Sequence, residues 1–153
     1  MTTNDWPDLA GRLTDFGHVL PVRVYFEDTD FSGMVYHASY VRFMERGRSD
    51  FLRLRGVGHL ALAEGEYGGS PLAFAVARMT IDFKKPARID DVLAIETRVG
   101  KIGGAIIRLA QTIRRDETVL VTAEVSVVLV NTAGKPQRIP PDLMERIVQP
   151  SAG

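Results

Sequence analysis

Two carboxylates, a glycine and a histidine crowd one short run: Asp28, Asp30, Gly33 and His37, within Tyr25-Phe-Glu-Asp-Thr-Asp-Phe-Ser-Gly-Met-Val-Tyr-His-Ala-Ser-Tyr40. A carboxylate in a turn can act as a general base or as a nucleophile. A helix starting beside it presents unpaired N–H groups and a partial positive charge to a developing oxyanion. That chemistry needs a strand, a tight turn and a helix start in immediate succession.

The flanking residues supply those elements. Val22, Val24 and Phe26 alternate with Arg23, Tyr25 and Glu27, which predicts a half-buried strand over residues 19–28. From Tyr40 the spacing becomes helical (Tyr40, Val41, Phe43, Met44, Gly47, Phe51, Leu52, Leu54), predicting a helix over 38–55 that stops at Gly56 and Gly58. Gly47 weakens that helix, so another backbone is expected to approach it closely. Residues 59–72 read as a loop containing one helical turn. Strands are then expected over 72–85, 92–100, 105–114 and 119–130, with a hairpin at Gly103-Gly104. Pro140-Pro141 opens a short helix over 142–148.

One long amphipathic helix and four successive strands imply an α+β domain, its curved antiparallel sheet of about five strands wrapped around the central helix. Short connections make the last four strands a meander. Ile107, Leu109, Val128 and Val130 are expected on the outer sheet face, where a second copy would cover them. Residues 1–18 read as a flexible N-terminal extension, with Trp6 able to pack onto the body, and residues 19–149 as the single domain.

Composition excludes more than it selects. Lys and Arg balance Asp and Glu at 19 each, so no global field draws nucleic acid or an anionic membrane. There are no cysteines, hence no disulfide, zinc–thiolate site or cysteine nucleophile. No apolar run is long enough to span a bilayer and no signal-peptide pattern opens the chain, so a cytoplasmic protein is expected. Gly68-Gly-Ser70-Pro-Leu is not a nucleophile elbow, Gly100-Lys-Ile-Gly-Gly lacks phosphate-loop spacing, and no His/Asp/Glu group has metal-ligand spacing.

The strand, central helix and wrapping sheet resemble the hotdog fold. The junction from Tyr25 to Tyr40 resembles that of the 4-hydroxybenzoyl-CoA thioesterase family, most nearly its YbgC-type acyl-CoA thioesterases associated with the Tol-Pal cell-envelope system. The likeness extends through Phe43-Met-Glu-Arg-Gly-Arg48 and Met79-Thr-Ile-Asp-Phe-Lys-Lys-Pro86-Ala-Arg-Ile-Asp-Asp91, covering about residues 20–140.

The resemblance implies hydrolysis of an acyl-CoA thioester to free acid and CoA, with no cofactor beyond the coenzyme A of the substrate. It implies that Asp30 is the catalytic carboxylate, as general base or as nucleophile through a mixed anhydride. The N–H groups near His37 would be the oxyanion donors, with the His37 side chain bonding the thioester or a water, or orienting Asp30. Asp28 reads as structural. Gly33 supplies positive φ or lets substrate pass close to the backbone, and Tyr36 and Tyr40 flank the site, Tyr40 also suiting the core. Ser70 resembles a segment that lines a neighbouring subunit's pocket, and Lys135 and Arg138 are candidates for the CoA phosphates. Glu45 reads as an ion-pair partner of Arg48, while His18 and His59 read as non-catalytic and without visible partners. A homotetramer, as a dimer of dimers with the site between subunits, is expected, with acyl carrier protein a possible partner. The rival readings are a hotdog dehydratase and a non-catalytic acyl-CoA or acyl-carrier binding adaptor.

Overall fold

The computed structural model describes residues 9–148. In chain order the elements are β1 (Arg12–Thr14), β2 (Gly17–Arg23), α1 (His37–Leu54), α2 (His59–Ala63), β3 (Ala73–Phe83), β4 (Val92–Gly103), β5 (Ile106–Arg115), β6 (Thr118–Val130) and α3 (Pro141–Val148). Among the described residues the sheet has six antiparallel strands, not five, in the order β1-β2-β4-β5-β6-β3. Register shifts at Val76/Arg78, Val99/Ile102 and Ile113/Arg114 bend it, because a bulge locally increases twist and curvature.

The concave face holds α1. Its buried residues recur at helical spacing: Tyr40, Phe43, Met44, Gly47, Phe51 and Leu52. They meet inward-facing Leu93, Ile95, Ile113, Leu120 and Val125 of the sheet in one continuous core. Gly47 is crowded by side chains of the sheet and not, as expected, by another backbone. A Cβ at that position would lie 2.9 Å from Ile95 Cγ2 and 3.3 Å from Thr97 Oγ1. Beside it a polar cluster is buried against the helix: Gln111 accepts from Arg48 Nη1 at 3.1 Å and donates to the Met44 carbonyl at 3.0 Å and to Thr97 Oγ1 at 2.9 Å.

Several expectations from sequence are corrected. The first long strand ends at Arg23, and Phe26–Asp28 is a turn of 3-10 helix, because Val24 bonds Asp90 and Asp91 of the crossover between β3 and β4 and residues 25–29 bond one another rather than a strand. The last four strands are not a simple meander: β4, β5 and β6 are successive neighbours, but β3 pairs with β6 at the sheet's edge and residues 84–91 cross back to β4. Those eight residues are too many for a tight turn and long enough to span the intervening strands. Ile107 and Leu109 face inward and are buried, whereas Val128 and Val130 are half-buried. Arg48 bonds Gln111 rather than Glu45, whose carboxylate accepts from Ser49 Oγ. His59 Nε2 lies 3.0 Å from the same Ser49 hydroxyl.

Of residues 1–18, Arg12–Thr14 and Gly17-His18 belong to the sheet, whereas Trp6 lies outside the described residues. His18 is buried, and its Nε2 lies 2.7 Å from Asp50 Oδ2 on α1. With Nε2–H donating to the carboxylate, Nδ1 has no partner, so a second ring proton would be buried without an acceptor. Burial holds the imidazole below its ordinary value of 6.5, and the bond to Asp50 offsets this only in part. The unfolded chain therefore binds the proton more readily. Stability from His18 is complete above about pH 6.5 and is lost as pH falls from there through the native value. His18→Gln is expected to flatten this part of the stability curve, measured by denaturant unfolding between pH 7.5 and 5. An unchanged slope would remove His18 as its source.

Candidate active site

The turn between β2 and α1 is built by its own backbone. Asp28 closes the 3-10 turn: its Oδ2 accepts from the Tyr25 N–H at 2.8 Å, and its carbonyl accepts from the Tyr36 N–H at 2.9 Å and from Ser39 Oγ at 3.0 Å. Its buried carboxylate is thus committed to backbone. The chain then reverses over residues 30–34, with the Gly33 N–H on the Asp30 carbonyl at 3.1 Å and the Asp30 N–H on the Met34 carbonyl at 2.8 Å. Gly33 sits at φ +82° with open space around it. Backbone conformation, not crowding within the protomer, is what asks for glycine there.

The crossover of residues 84–91 fastens this turn to the sheet. Val35 N–H donates to the Ala87 carbonyl at 2.9 Å, the Ile89 N–H to the Gly33 carbonyl at 3.1 Å, and the Ala87 N–H to the Tyr40 hydroxyl at 2.8 Å. Tyr40 is buried, with its ring edge-on to Phe43 and 5.7 Å from Phe83. Burial pushes its phenol above the ordinary value. It is both core and pocket wall.

Between turn, helix and crossover lies a cavity of about 450 Å³ lined by Asp30, Tyr36, His37, Tyr40, Phe83, Lys84 and Lys85 among others. Asp30 is half-buried. Its Oδ1 accepts from the Ser32 hydroxyl at 2.5 Å and the Ser32 N–H at 2.8 Å. These two bonds, the hydroxyl's first, hold the carboxyl below its ordinary range, since they favour the charged form. His37 is the first residue of α1, exposed, with its ring tilted 41° to that of Tyr36 and the centroids 4.2 Å apart. No hydrogen bond joins it to Asp30. No side chain caps α1, and with the Ser39 N–H on the Tyr36 carbonyl at 2.8 Å the N–H groups of His37 and Ala38 are left for an incoming acceptor.

A carboxylate poised in water beside uncapped helix N–H groups suits acyl transfer, and the whole-chain comparisons agree. The model of the thioesterase-like superfamily matches residues 24–147.

The chain belongs to the thioesterase-like superfamily.

It is 40% identical over 131 residues to the "Acyl-CoA thioester hydrolase YbgC" of Escherichia coli, covering 84% of this chain and 94% of that one. It is 40% identical over 119 residues to the "Acyl-CoA thioesterase YbgC" of Haemophilus influenzae, covering 78% and 85%. The crystal structure of a probable thioesterase from Bartonella henselae superposes with a TM-score of 0.79 at 48% identity, covering 81% of this chain and 99% of that one. This thioesterase has the hotdog fold and resembles the YbgC-type enzymes, as expected from its junction motif.

The residues nominated from sequence fall into two groups. Asp30, Tyr36, His37 and Tyr40 line one cavity, with Gly33 in the turn that shapes it. Ser70, Lys135 and Arg138 do not line it. They lie near the junction of Ala73 with Val130, whereas the cavity lies where Lys84 meets Leu120. The two ends of β6 are about 30 Å apart. Sequence reading missed Phe83, Lys84 and Lys85, which end β3 and begin the crossover. The adjacent lysines before Pro86 were the available signal, but only the strand order brings them to Asp30. Among the described residues no cluster of His, Asp and Glu could hold a metal ion, and no helix is long and apolar enough to cross a membrane.

Proposed function

We propose that this thioesterase hydrolyses an acyl-CoA thioester to the free acid and CoA, with Asp30 as the acting carboxylate and the α1 N–H groups near His37 as oxyanion donors. The observation that carries this reading is one cavity holding both an ionised Asp30 and the uncapped start of α1. As general base, Asp30 takes a proton from water while hydroxide adds to the thioester carbon. The tetrahedral intermediate then expels the CoA thiolate, which takes up the proton. As nucleophile, Asp30 forms a mixed anhydride as the thiolate leaves, and water hydrolyses it. In both routes negative charge grows on the carbonyl oxygen, where preorganised N–H donors act most strongly. No metal or cofactor enters either route.

We further infer that the site is shared between subunits. β3 is the longer of the sheet's two edge strands, the other being the three-residue β1, and most of its length is exposed. Two copies related by a twofold axis can pair this edge only antiparallel. That pairing would set the Ala73 end of one strand beside the Phe83 end of the other, carrying Ser70 of the partner subunit toward Asp30. Lys84 and Lys85, with Lys135 and Arg138 of the partner subunit, are the candidates for the CoA phosphates. Tyr36 and Phe83 line the cavity and are exposed, and Phe31, next in sequence to Asp30, is exposed as well, an apolar surface that an acyl chain and a second subunit would cover. The same reading carries a cytoplasmic dimer of dimers, with acyl carrier protein as an alternative acyl donor and association with the Tol-Pal system.

The test is thiol release across saturated acyl-CoA chain lengths, one aromatic acyl-CoA and an acyl-carrier-protein thioester. Turnover of at least one CoA thioester is expected. Tight acyl-CoA binding without release of thiol from any of them would replace hydrolysis with an adaptor role.

A further inference from the structure

Asp30 has two carboxylate oxygens, and the turn treats them differently. Both Ser32 hydrogen bonds fall on Oδ1. The turn does not need the serine hydroxyl for its own closure. Its two backbone bonds, between Asp30 and Gly33 and between Asp30 and Met34, and the positive φ of Gly33 already reverse the chain. Ser32 is exposed, so its hydroxyl could equally have been solvated. It is instead directed at the carboxylate, and among the described residues no other side chain bonds Asp30.

We propose that Ser32 is a positioning residue for the hydrolysis: its hydroxyl and N–H anchor Asp30 Oδ1 and thereby present Oδ2 as the oxygen that meets water or the thioester carbon. This rests on the role of Asp30 proposed above and adds which oxygen reacts and what selects it. An anchored carboxylate has lost rotation about its last side-chain bond before substrate arrives, so less orientational freedom remains to be lost in the transition state. The anchor also keeps the group ionised when substrate shields it from water, because hydrogen bonds to the charged form oppose the effect of desolvation.

Other groups face the same cavity. His37 and Tyr36 come from the start of α1, the Tyr40 hydroxyl from its second turn, and Lys84 and Lys85 from the crossover. The Asp28 carboxylate is turned to the Tyr25 N–H, and the Tyr40 hydroxyl accepts from Ala87. The Met34 N–H and Asp30's own N–H also favour the ionised carboxylate, after the two groups of Ser32. The serine hydroxyl comes first among these influences, and it can be removed without touching the backbone.

The experiment is Ser32→Ala with Ser32→Thr as the conservative control, each assayed for kcat and KM from pH 2.5 to 9. The Asp30 carboxyl is titrated in parallel by carbon-13 NMR of labelled aspartate, with Asp30→Asn identifying its resonance. In Ser32→Ala the Asp30 titration and the acid limb of kcat/KM are both expected to move to higher pH. kcat on the plateau is expected to fall several-fold with KM little changed, and Ser32→Thr should restore all three. An Asp30 titration unmoved by Ser32→Ala would overturn the proposal and leave the catalytic role of Asp30 standing. A titration that moves without the acid limb would overturn it for the other reason, that Asp30 is not the group whose ionisation the reaction needs.

Discussion

Asp30→Asn is expected to leave the fold and the oligomeric state intact while lowering kcat by about 10²–10⁴-fold, the range associated with a positioned acid or base. The substitution is close to isosteric. Its amide oxygen can still accept from the Ser32 hydroxyl and N–H, and Asp30 is outside the buried core, so folding has little reason to change. What is lost is the negative charge that deprotonates water or attacks the carbonyl carbon. KM should change much less than kcat, because the role proposed for Asp30 is on the reacting water or thioester carbon and not in holding the substrate. Thiol release at saturating acyl-CoA, with circular dichroism and gel filtration of the same preparation, measures this. A variant turning over at the wild-type rate would end the assignment of Asp30.

The second large effect is on stability. Gln111→Leu keeps the volume of the site but removes the acceptor for Arg48 and the donor to Met44 and Thr97. Arg48 and Gln111 are both buried, and burial already holds the guanidinium below its ordinary pKa, opposed in part by the charge of Glu45. Stranding a buried cation costs about 3 kcal/mol or more, corresponding to a fall in melting temperature of roughly 6–12 °C for a chain of this size. The double variant Arg48→Leu/Gln111→Leu is expected to recover part of that loss, since removing both polar partners leaves nothing stranded. A double variant no more stable than Gln111→Leu would show that Arg48 is not the source of the cost.

Much of the site was legible because it is local. The run from Tyr25 to Tyr40 contains its own turn, its own helix start and its own carboxylates. The change from period two to helical spacing marks where the chain turns, and four nominated residues line the cavity there. The identity of Asp28 as a residue committed to backbone bonds followed from the turn-forming habit of aspartate. Ser70 is nominated by its likeness to a segment in a family whose pockets join two subunits, and Lys135 and Arg138 by their charge and their place after the last strand; in one protomer all three lie at the far end of β6.

What the sequence by itself determined about this thioesterase is therefore what neighbouring residues determine: the long helix, the extents of β5 and β6 to within a residue, and the acidic turn, whereas β4 runs past the expected residue 100 to Gly103 and its hairpin turn falls on residues 104–105. What only the tertiary structure decided depends on residues far apart in the chain. Alternation says that β3 is a strand but not that it pairs with β6 rather than β4, because an alternating face suits either neighbour. That choice makes β3 an edge strand and draws residues 84–91 across the sheet, bringing Lys84 and Lys85 to Asp30. The burial of His18 against Asp50 and of Arg48 against Gln111 arises in the same way. Each joins polar residues on elements that meet only when the sheet closes on α1, and a polar residue's need for a buried partner leaves no period in the sequence.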